Sequence, residues 1–175
     1  NPDVDARTHA KISTGKSENK FGVPIDQAVD IYGRLAALPG LAMQGVACHI
    51  GSQLLDLAPM EAAFDRMGGL LQALRAAGHD VASVDLGGGL GVRYKAGDAP
   101  PSPAQYGAMV ARVTGNWGVR LMMEPGRVIT ANAGVLVTEV VRVKPGVTHP
   151  FVIVDAAMND LARPALYDAW HDFAA

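Results

Sequence analysis

Three apolar runs, each ending in a short polar motif, constrain the fold of this chain more than any other feature of its sequence. The runs cover residues 41–50, 81–86 and 119–123, and each is predicted to form a buried β-strand. Apolar residues at helical spacing predict a helix over 59–77 between the first two strands and another over 103–113 between the last two. Strands that alternate with helices are typical of a parallel sheet covered by helices, so we predict an α/β fold.

The pattern changes after the third run. A β-rich stretch over 135–143 is followed by a turn at 144–146 and a strand over 151–154, with no helix between them. We therefore predict two units: part of a (β/α) barrel over residues 1–130, and the start of a β-rich second domain over residues 131–175.

Composition excludes several classes of function. The net charge is −2 and no basic cluster is present, which argues against nucleic acid as a partner. No apolar run approaches the ~20 residues that a membrane span needs. The single cysteine, Cys48, excludes an internal disulfide and is compatible with the cytoplasm, where we expect the protein to be located. The histidines are scattered, so no metal site is predicted.

Each predicted strand is followed by a motif that carries chemistry. Barrels of alternating strands and helices build their active sites from the loops at the carboxyl ends of their strands, so these motifs are predicted to meet at one face. In chain order the motifs are His49-Ile50-Gly51-Ser52-Gln53, Asp85-Leu86-Gly87-Gly88-Gly89-Leu90-Gly91 and Glu124-Pro125-Gly126-Arg127.

Several of these residues suit a phosphate group. The glycines Gly87–Gly89 lack β-carbons, so their backbone N–H groups are able to approach an anion closely. The alternative is a tight turn without a ligand; a dinucleotide fingerprint is excluded because Val92 stands where it requires glycine. The hydroxyl of Ser52 and the guanidinium of Arg127 suit the same phosphate; alternatively they are a turn residue and a surface charge.

Two further residues suit an aromatic cofactor ring. His49 is either a hydrogen-bonded core residue or a flat partner stacked on such a ring. Glu124 is either ion-paired with Arg127 or a partner for a protonated ring nitrogen, since an anion there keeps a pyridinium charged.

Arg163 and Tyr167 share a face if their segment is helical. They then suit a distal carboxylate of a substrate, or else form a surface pair packed on Trp170.

At these motifs the chain resembles the fold-type III pyridoxal-phosphate-dependent decarboxylases, which include ornithine and arginine decarboxylases. Two further segments, Met158-Asn159-Asp160-Leu161 and Arg163-Pro164-Ala165-Leu166-Tyr167, resemble the branch of the family that converts meso-2,6-diaminopimelate to L-lysine. The resemblance implies an eight-stranded (β/α) barrel followed by a β-rich domain, and a homodimer with active sites at its interface.

The resemblance also implies roles for individual residues. His49 would stack on the ring of pyridoxal 5'-phosphate, and Glu124 would pair with its pyridine nitrogen. Ser52 and the backbone of Gly87, Gly88 and Gly89 would hold its phosphate. The other residues of the third motif, Pro125, Gly126 and Arg127, would border the same site. The distal amino-acid end of the substrate would contact Arg127, Arg163 and Tyr167.

The family's Schiff-base lysine lies in an early barrel strand, and no lysine of this chain stands in that motif. The chain begins with Asn1-Pro2-Asp3 rather than an initiator methionine, so we expect an internal fragment of a larger protein. We assign it no catalytic residue, and expect it to be inactive and poorly soluble alone because an open sheet edge favours aggregation. Two alternatives remain: a decarboxylase of another basic amino acid, and a non-catalytic or regulatory homologue that binds the cofactor.

Overall fold

A parallel three-stranded sheet forms the centre of the molecule. The structure is a computed structural model that describes residues 1–6, 13–16 and 18–174. The strands are β1 (Gly45–Ala47), β2 (Ser83–Asp85) and β3 (Arg120–Met122), hydrogen-bonded in the order β1-β2-β3. Because both pairings are parallel, the three carboxyl ends lie at one edge of the sheet.

Helices connect these strands and cover the sheet, as predicted. They are α1 (Ala28–Ala36), preceded by a 3-10 turn at Ile25–Gln27, then α2 (Ala58–Ala76) between β1 and β2, and α3 (Pro103–Thr114) between β2 and β3. The apolar stripe of α2 is buried along its whole length: Met60, Ala63, Phe64, Met67, Leu70, Leu71 and Leu74. These residues pack with the central strand into one hydrophobic core.

The helix ends are readable from the sequence. Helix α3 begins with a capping box in which the Ser102 hydroxyl accepts from the Gln105 N–H at 3.2 Å and the Gln105 side chain accepts from the Ser102 N–H at 2.8 Å. Helix α2 ends before Gly78, which adopts φ +87° and donates its N–H to the carbonyl of Arg75. Glycine takes this left-handed conformation without strain.

The two outer strands differ from their prediction. Strand β1 was expected to be buried over 41–50 but covers Gly45–Ala47 alone, and Leu41 is 50% exposed. Strand β3 is also short, and Met123 just after it is 49% exposed. Among the described strands of this sheet, only β2 has a neighbouring strand on both sides. Val84 in its centre is fully buried, whereas no residue of β1 or β3 is.

The remaining residues form an antiparallel hairpin and two short helices. Strands β4 (Val140–Lys144) and β5 (Phe151–Val154) pair with each other, and the short helices are α4 (Arg127–Thr130) and α5 (Arg163–Tyr167). The strand predicted over 135–143 therefore begins later, because residues 135–139 have no strand opposite them among the described residues. Both strands are exposed along their whole length. The predicted domain boundary at 130/131 remains a prediction, and its last residue, Ala175, lies outside the described residues.

Candidate functional site

The loops that follow the three parallel strands line one open cleft of about 1740 Å³. Seven of the residues predicted for the site line this cleft: His49, Ser52, Gly89, Glu124, Gly126, Arg127 and Arg163. Three predicted residues, Gly87, Gly88 and Pro125, lie beside the cleft without lining it. Tyr167 lines a second cavity of about 400 Å³, which Arg127 and Arg163 also border.

His49 is an exposed residue at the cleft and not part of the core. Its Nδ1 accepts a hydrogen bond from the backbone N–H of Gly88 at 3.3 Å. An imidazole that accepts at Nδ1 carries its proton on Nε2 in the neutral form. The alternative of a buried core histidine is therefore wrong, and the ring is held at the cleft by the neighbouring strand end.

The glycine run is required by the close approach of the strand ends to one another. A β-carbon at Gly87, Gly88 or Gly89 would overlap the carbonyl oxygens of Cys48, Glu124 and Gly51, respectively. Gly87 and Gly89 also adopt φ values of +67° and +108°, which are unfavourable for residues that carry a β-carbon. Close packing of the backbone is therefore sufficient to explain why these three positions are glycine.

The amides of the run are not equally available to an anion. The N–H of Gly87 donates to the Asp85 carboxylate at 2.7 Å, and the N–H of Gly88 donates to His49. The N–H groups of Gly89 and Leu90, which both line the cleft, have no acceptor among the residues that the structure describes. The backbone donors that suit a phosphate are therefore the amides of Gly89 and Leu90. Ser52 lines the same cleft.

Glu124 presents an exposed carboxylate at the cleft. Its backbone N–H donates to the carbonyl of Gly87 at 2.9 Å, which fixes the third strand end against the glycine run. Within the described part of the chain Glu124 forms no ion pair with Arg127, so that alternative is wrong.

Arg127 is partly buried and is held by neutral groups. Its Nη1 donates to Oε1 of Gln53 at 3.1 Å, and its guanidinium carbon lies 5.9 Å from the ring centroid of Tyr94. Burial lowers the pKa of Arg127; the neighbouring Tyr94 acts in the opposite direction, and the positive charge of Arg163 lowers it further.

Arg163 and Tyr167 share a face of α5, as the spacing predicted. The guanidinium carbon of Arg163 lies 5.6 Å from the Tyr167 ring centroid and 5.9 Å from that of Tyr94. The side chain over Trp170 is that of Lys95, at 5.7 Å. Arg163, Tyr167 and Trp170 all line the second cavity, so packing of the pair on Trp170 remains an alternative.

Gln53 and Tyr94 contact the site but were assigned no role from the sequence. Gln53 stands inside the first motif and adopts φ +60°, an unusual conformation for a residue with a side chain. Its place in the motif was the only signal that pointed to it. Tyr94 lies in the loop after the glycine run, where neither spacing nor composition distinguishes it from a surface residue.

Among the described residues, no group of three or more histidine, cysteine, aspartate or glutamate side chains is arranged to hold a metal ion. None of the helices in the described ranges combines the length and the apolar character that crossing a membrane requires.

Comparisons with known proteins agree with the chemistry of the cleft. Residues 1–131 match the family model described as pyridoxal-dependent decarboxylase, pyridoxal binding domain. The chain is 56% identical over 176 residues to diaminopimelate decarboxylase from Zymomonas mobilis and 50% identical over 173 residues to that from Vibrio cholerae. These alignments cover 100% and 98% of this chain. They cover 42% and 41% of the relatives, so the chain spans about two fifths of the length of the curated relatives that it matches.

A solved structure gives the same result. The crystal structure of diaminopimelate decarboxylase from Helicobacter pylori complexed with L-lysine matches with a TM-score of 0.92 at 40% identity, and the match covers 98% of this chain and 43% of that chain. The predicted resemblance, the α/β fold and the pyridoxal phosphate cofactor are thereby confirmed.

Proposed function

The chain belongs to the family of pyridoxal-dependent decarboxylases, and from that premise we propose that the complete gene product converts meso-2,6-diaminopimelate to L-lysine and carbon dioxide. One observation carries the proposal. Three strand ends, far apart in the sequence, bring His49, Ser52, Gly89, Glu124 and Arg127 to one cleft. The likeness to diaminopimelate decarboxylases selects this substrate among the basic amino acids.

The residues of the cleft fit the cofactor. The Gly89 and Leu90 amides and the Ser52 hydroxyl are donors suited to a phosphate. The imidazole of His49 offers a flat face to a ring, and Glu124 offers an exposed carboxylate to a protonated ring nitrogen. The cofactor has a phosphate at one end and a basic nitrogen in its ring, so the donors and the acid serve different ends of one molecule.

When bound, pyridoxal phosphate supplies an electron-withdrawing ring that stabilises negative charge on the carbon from which carbon dioxide has left. The task of Glu124 is to keep the ring nitrogen protonated. The task of His49 is to fix the plane of the ring, and its hydrogen bond from Gly88 holds the imidazole ready for this. Arg127, Arg163 and Tyr167 orient the remote amino-acid end of the substrate, which places the reacting carbon at the ring.

The finer architecture belongs to the same proposal. We place the parallel unit in an eight-stranded (β/α) barrel over residues 1–130, and the hairpin at the start of a β-rich domain over 131–175. The helical crossovers between parallel strands support the first assignment, and the antiparallel pairing of β4 with β5 supports the second. A homodimer located in the cytoplasm completes the proposal.

The complete gene product tests it. Added pyridoxal phosphate is expected to produce an absorbance band near the visible edge, and carbon dioxide release is measured from meso-diaminopimelate, L-lysine, L-ornithine and L-arginine. The value of kcat/KM for meso-diaminopimelate should exceed the others by about 10³-fold, because analogues without a second amino-acid end leave polar groups of the site unpaired. Comparable turnover of L-ornithine would contradict the substrate assignment. Cofactor binding without release from any of the four would favour the non-catalytic homologue.

A further inference from the structure

Four side chains form the wall between the cleft and the second cavity: Gln53, Tyr94, Arg127 and Arg163. The two arginines have a proposed task at the remote end of the substrate. Gln53 and Tyr94 have none, although each contacts an arginine. Two guanidinium groups of like charge repel each other at this wall, so other groups must hold them in place.

Both the nitrogen and the oxygen of the Gln53 side-chain amide form hydrogen bonds. Its Nε2 donates to the carbonyl of Val92 at 2.5 Å, and its Oε1 accepts from the N–H of Val92 at 3.2 Å. This pairing fixes the orientation of the amide, because only the oxygen is able to accept from a backbone N–H. The same oxygen accepts from Nη1 of Arg127 at 3.1 Å. Gln53 therefore joins the first strand end, the loop after the glycine run and Arg127.

The ring of Tyr94 is shared by both arginines. Each guanidinium carbon lies 5.9 Å from its centroid, within the range of a cation–π interaction. The π face attracts both cations at once, which offsets their mutual repulsion. A third neighbour, the His171 ring, lies 6.1 Å from Tyr94 at an angle of 53°.

The positive charges at the wall are not neutralised by protein carboxylates. Across residues 1–6, 13–16 and 18–174, neither Arg127 nor Arg163 forms an ion pair with an acid. Two guanidinium groups held by an amide oxygen and an aromatic ring retain their attraction for an anion, because neither partner is itself charged. Such a pair suits a carboxylate that a ligand brings.

We propose that Gln53 and Tyr94 are positioning residues that hold Arg127 and Arg163 side by side as a preformed receptor for the substrate carboxylate remote from the reacting carbon. The inference rests on the proposed function and deepens it. It assigns selectivity for a dicarboxylate ligand to two residues that carry no formal charge. Their contribution is to remove the entropy and repulsion that two free arginine side chains would have to overcome on binding.

The experiment compares two ligands that differ at the remote end. In the complete gene product loaded with pyridoxal phosphate, competitive inhibition constants are measured for 2-aminopimelate, which carries a remote carboxylate, and for 2-aminoheptanoate, which has a methyl group in its place. Tyr94→Leu removes the ring, and Tyr94→Phe is the matched control that keeps it. Gln53→Met removes the acceptor for Arg127 at similar side-chain length.

Tyr94→Leu should weaken the binding of 2-aminopimelate by about tenfold and that of 2-aminoheptanoate by less than about twofold, with cofactor absorbance near wild type. Gln53→Met should give the same pattern with a loss of about threefold, and Tyr94→Phe should leave both constants within about twofold. Equal weakening of the two ligands, or loss of cofactor absorbance along with affinity, would show a merely structural role and overturn the inference.

Tyr94→Phe decides the question even if the leucine variant does not fold. A tenfold loss for 2-aminopimelate in that variant would assign the effect to the hydroxyl and refute the shared ring. Failure of the proposed function has a different signature, since the wild-type protein itself would then not bind the cofactor or release carbon dioxide from meso-diaminopimelate.

Discussion

Two regions of the molecule bury their apolar side chains to opposite degrees. In the α/β region, residues 18–130, the side chains of Leu74 and Val84 are fully buried. In the hairpin region, residues 131–174, Val137 is 86% exposed and Val147 is completely exposed. No described residue beyond Trp117 is buried, although both regions are rich in valine.

The difference shows that a strand pattern does not by itself produce a core. Strand β2 is buried because it has a strand on each side and helices α2 and α3 packed with it in the hydrophobic core. Strands β4 and β5 have each other, and neither has a helix packed on it among the described elements. A two-stranded ribbon alone is marginal in water, so stability resides in the α/β region.

The largest effect should come from removing a ring in the α/β core. Phe64 is 2% exposed and its ring meets Tyr106 edge to face at 6.5 Å. Phe64→Ala should lower the free energy of unfolding by about 3–5 kcal/mol, through lost burial and the cavity left behind. Urea denaturation followed by Trp117 fluorescence in a Trp170→Phe background measures it.

The matched control lies in the hairpin region. Phe151 is 52% exposed, so Phe151→Ala in the same chain should change the unfolding free energy by less than about 1 kcal/mol. A loss as large as that of Phe64→Ala would break the comparison, since it would mean that the hairpin is covered by a layer absent from the described residues.

A second effect concerns the site edge of the α/β region. Gly89→Ala places a β-carbon against the carbonyl of Gly51 in a conformation of φ +108°. It should lower the unfolding free energy by about 2–3 kcal/mol, and weaken pyridoxal phosphate binding by moving the Gly89 and Leu90 amides. Thermal unfolding and titration of cofactor absorbance in the complete gene product measure the two effects.

Gly69 supplies the opposite case in the same region. It is an exposed residue inside α2, and a β-carbon there would meet no atom within 4 Å. Gly69→Ala should therefore stabilise the protein by about 0.5–1 kcal/mol without changing cofactor affinity. If Gly89→Ala were as well tolerated as Gly69→Ala, the packing explanation of the glycine run would be wrong.

The sequence predicted elements better than it predicted their surroundings. The stripe of α2 is a local pattern, and both α2 and α3 begin and end within a residue of their predicted bounds. The buried strands were overestimated at 41–50 and 119–123, because burial depends on which neighbours a strand has, and the amino-acid pattern of an edge strand resembles that of a central one.

The site divides along the same line. Motifs at strand ends predicted that His49, Ser52 and Glu124 lie at one cleft, because parallel topology brings strand ends together whatever lies between them. The pattern could not show that the Gly87 and Gly88 amides are already engaged. It also could not show that the Tyr94 ring contacts both Arg127 and Arg163. Tyr94 lies in a loop, and the conformation of a loop is not encoded in a periodic pattern of residues.

A third prediction asks whether the hairpin region contributes to the site. Arg163 lies in that region yet lines the cleft and contacts Tyr94. Arg163→Met should raise KM for meso-diaminopimelate by about thirtyfold, which corresponds to about 2 kcal/mol for a charge-assisted contact. Cofactor absorbance should stay unchanged. Steady-state kinetics of the complete gene product measure it.

Arg142 on β4 is the control, because it lies in the same region and lines neither cavity. Arg142→Met should leave KM within about twofold of wild type. An unchanged KM in Arg163→Met would remove the hairpin region from substrate recognition and with it the assignment of a remote carboxylate to this arginine.

The smallest effect tests burial at the first strand end of the α/β region. Cys48 is 6% exposed, and burial raises the pKa of its thiol to about 11 from the ordinary value of 9.0. Since the unfolded thiol ionises at lower pH than the folded one, the unfolded state holds fewer protons between pH 9 and 11, and stability must fall as pH rises through that window. The loss should be about 1 kcal/mol between pH 9 and 10, measured as the difference in urea denaturation between wild type and Cys48→Ala. A difference that stays constant across this window would mean that the thiol ionises as easily in the folded protein as in the unfolded chain, and that the strand end beside His49 is open to water.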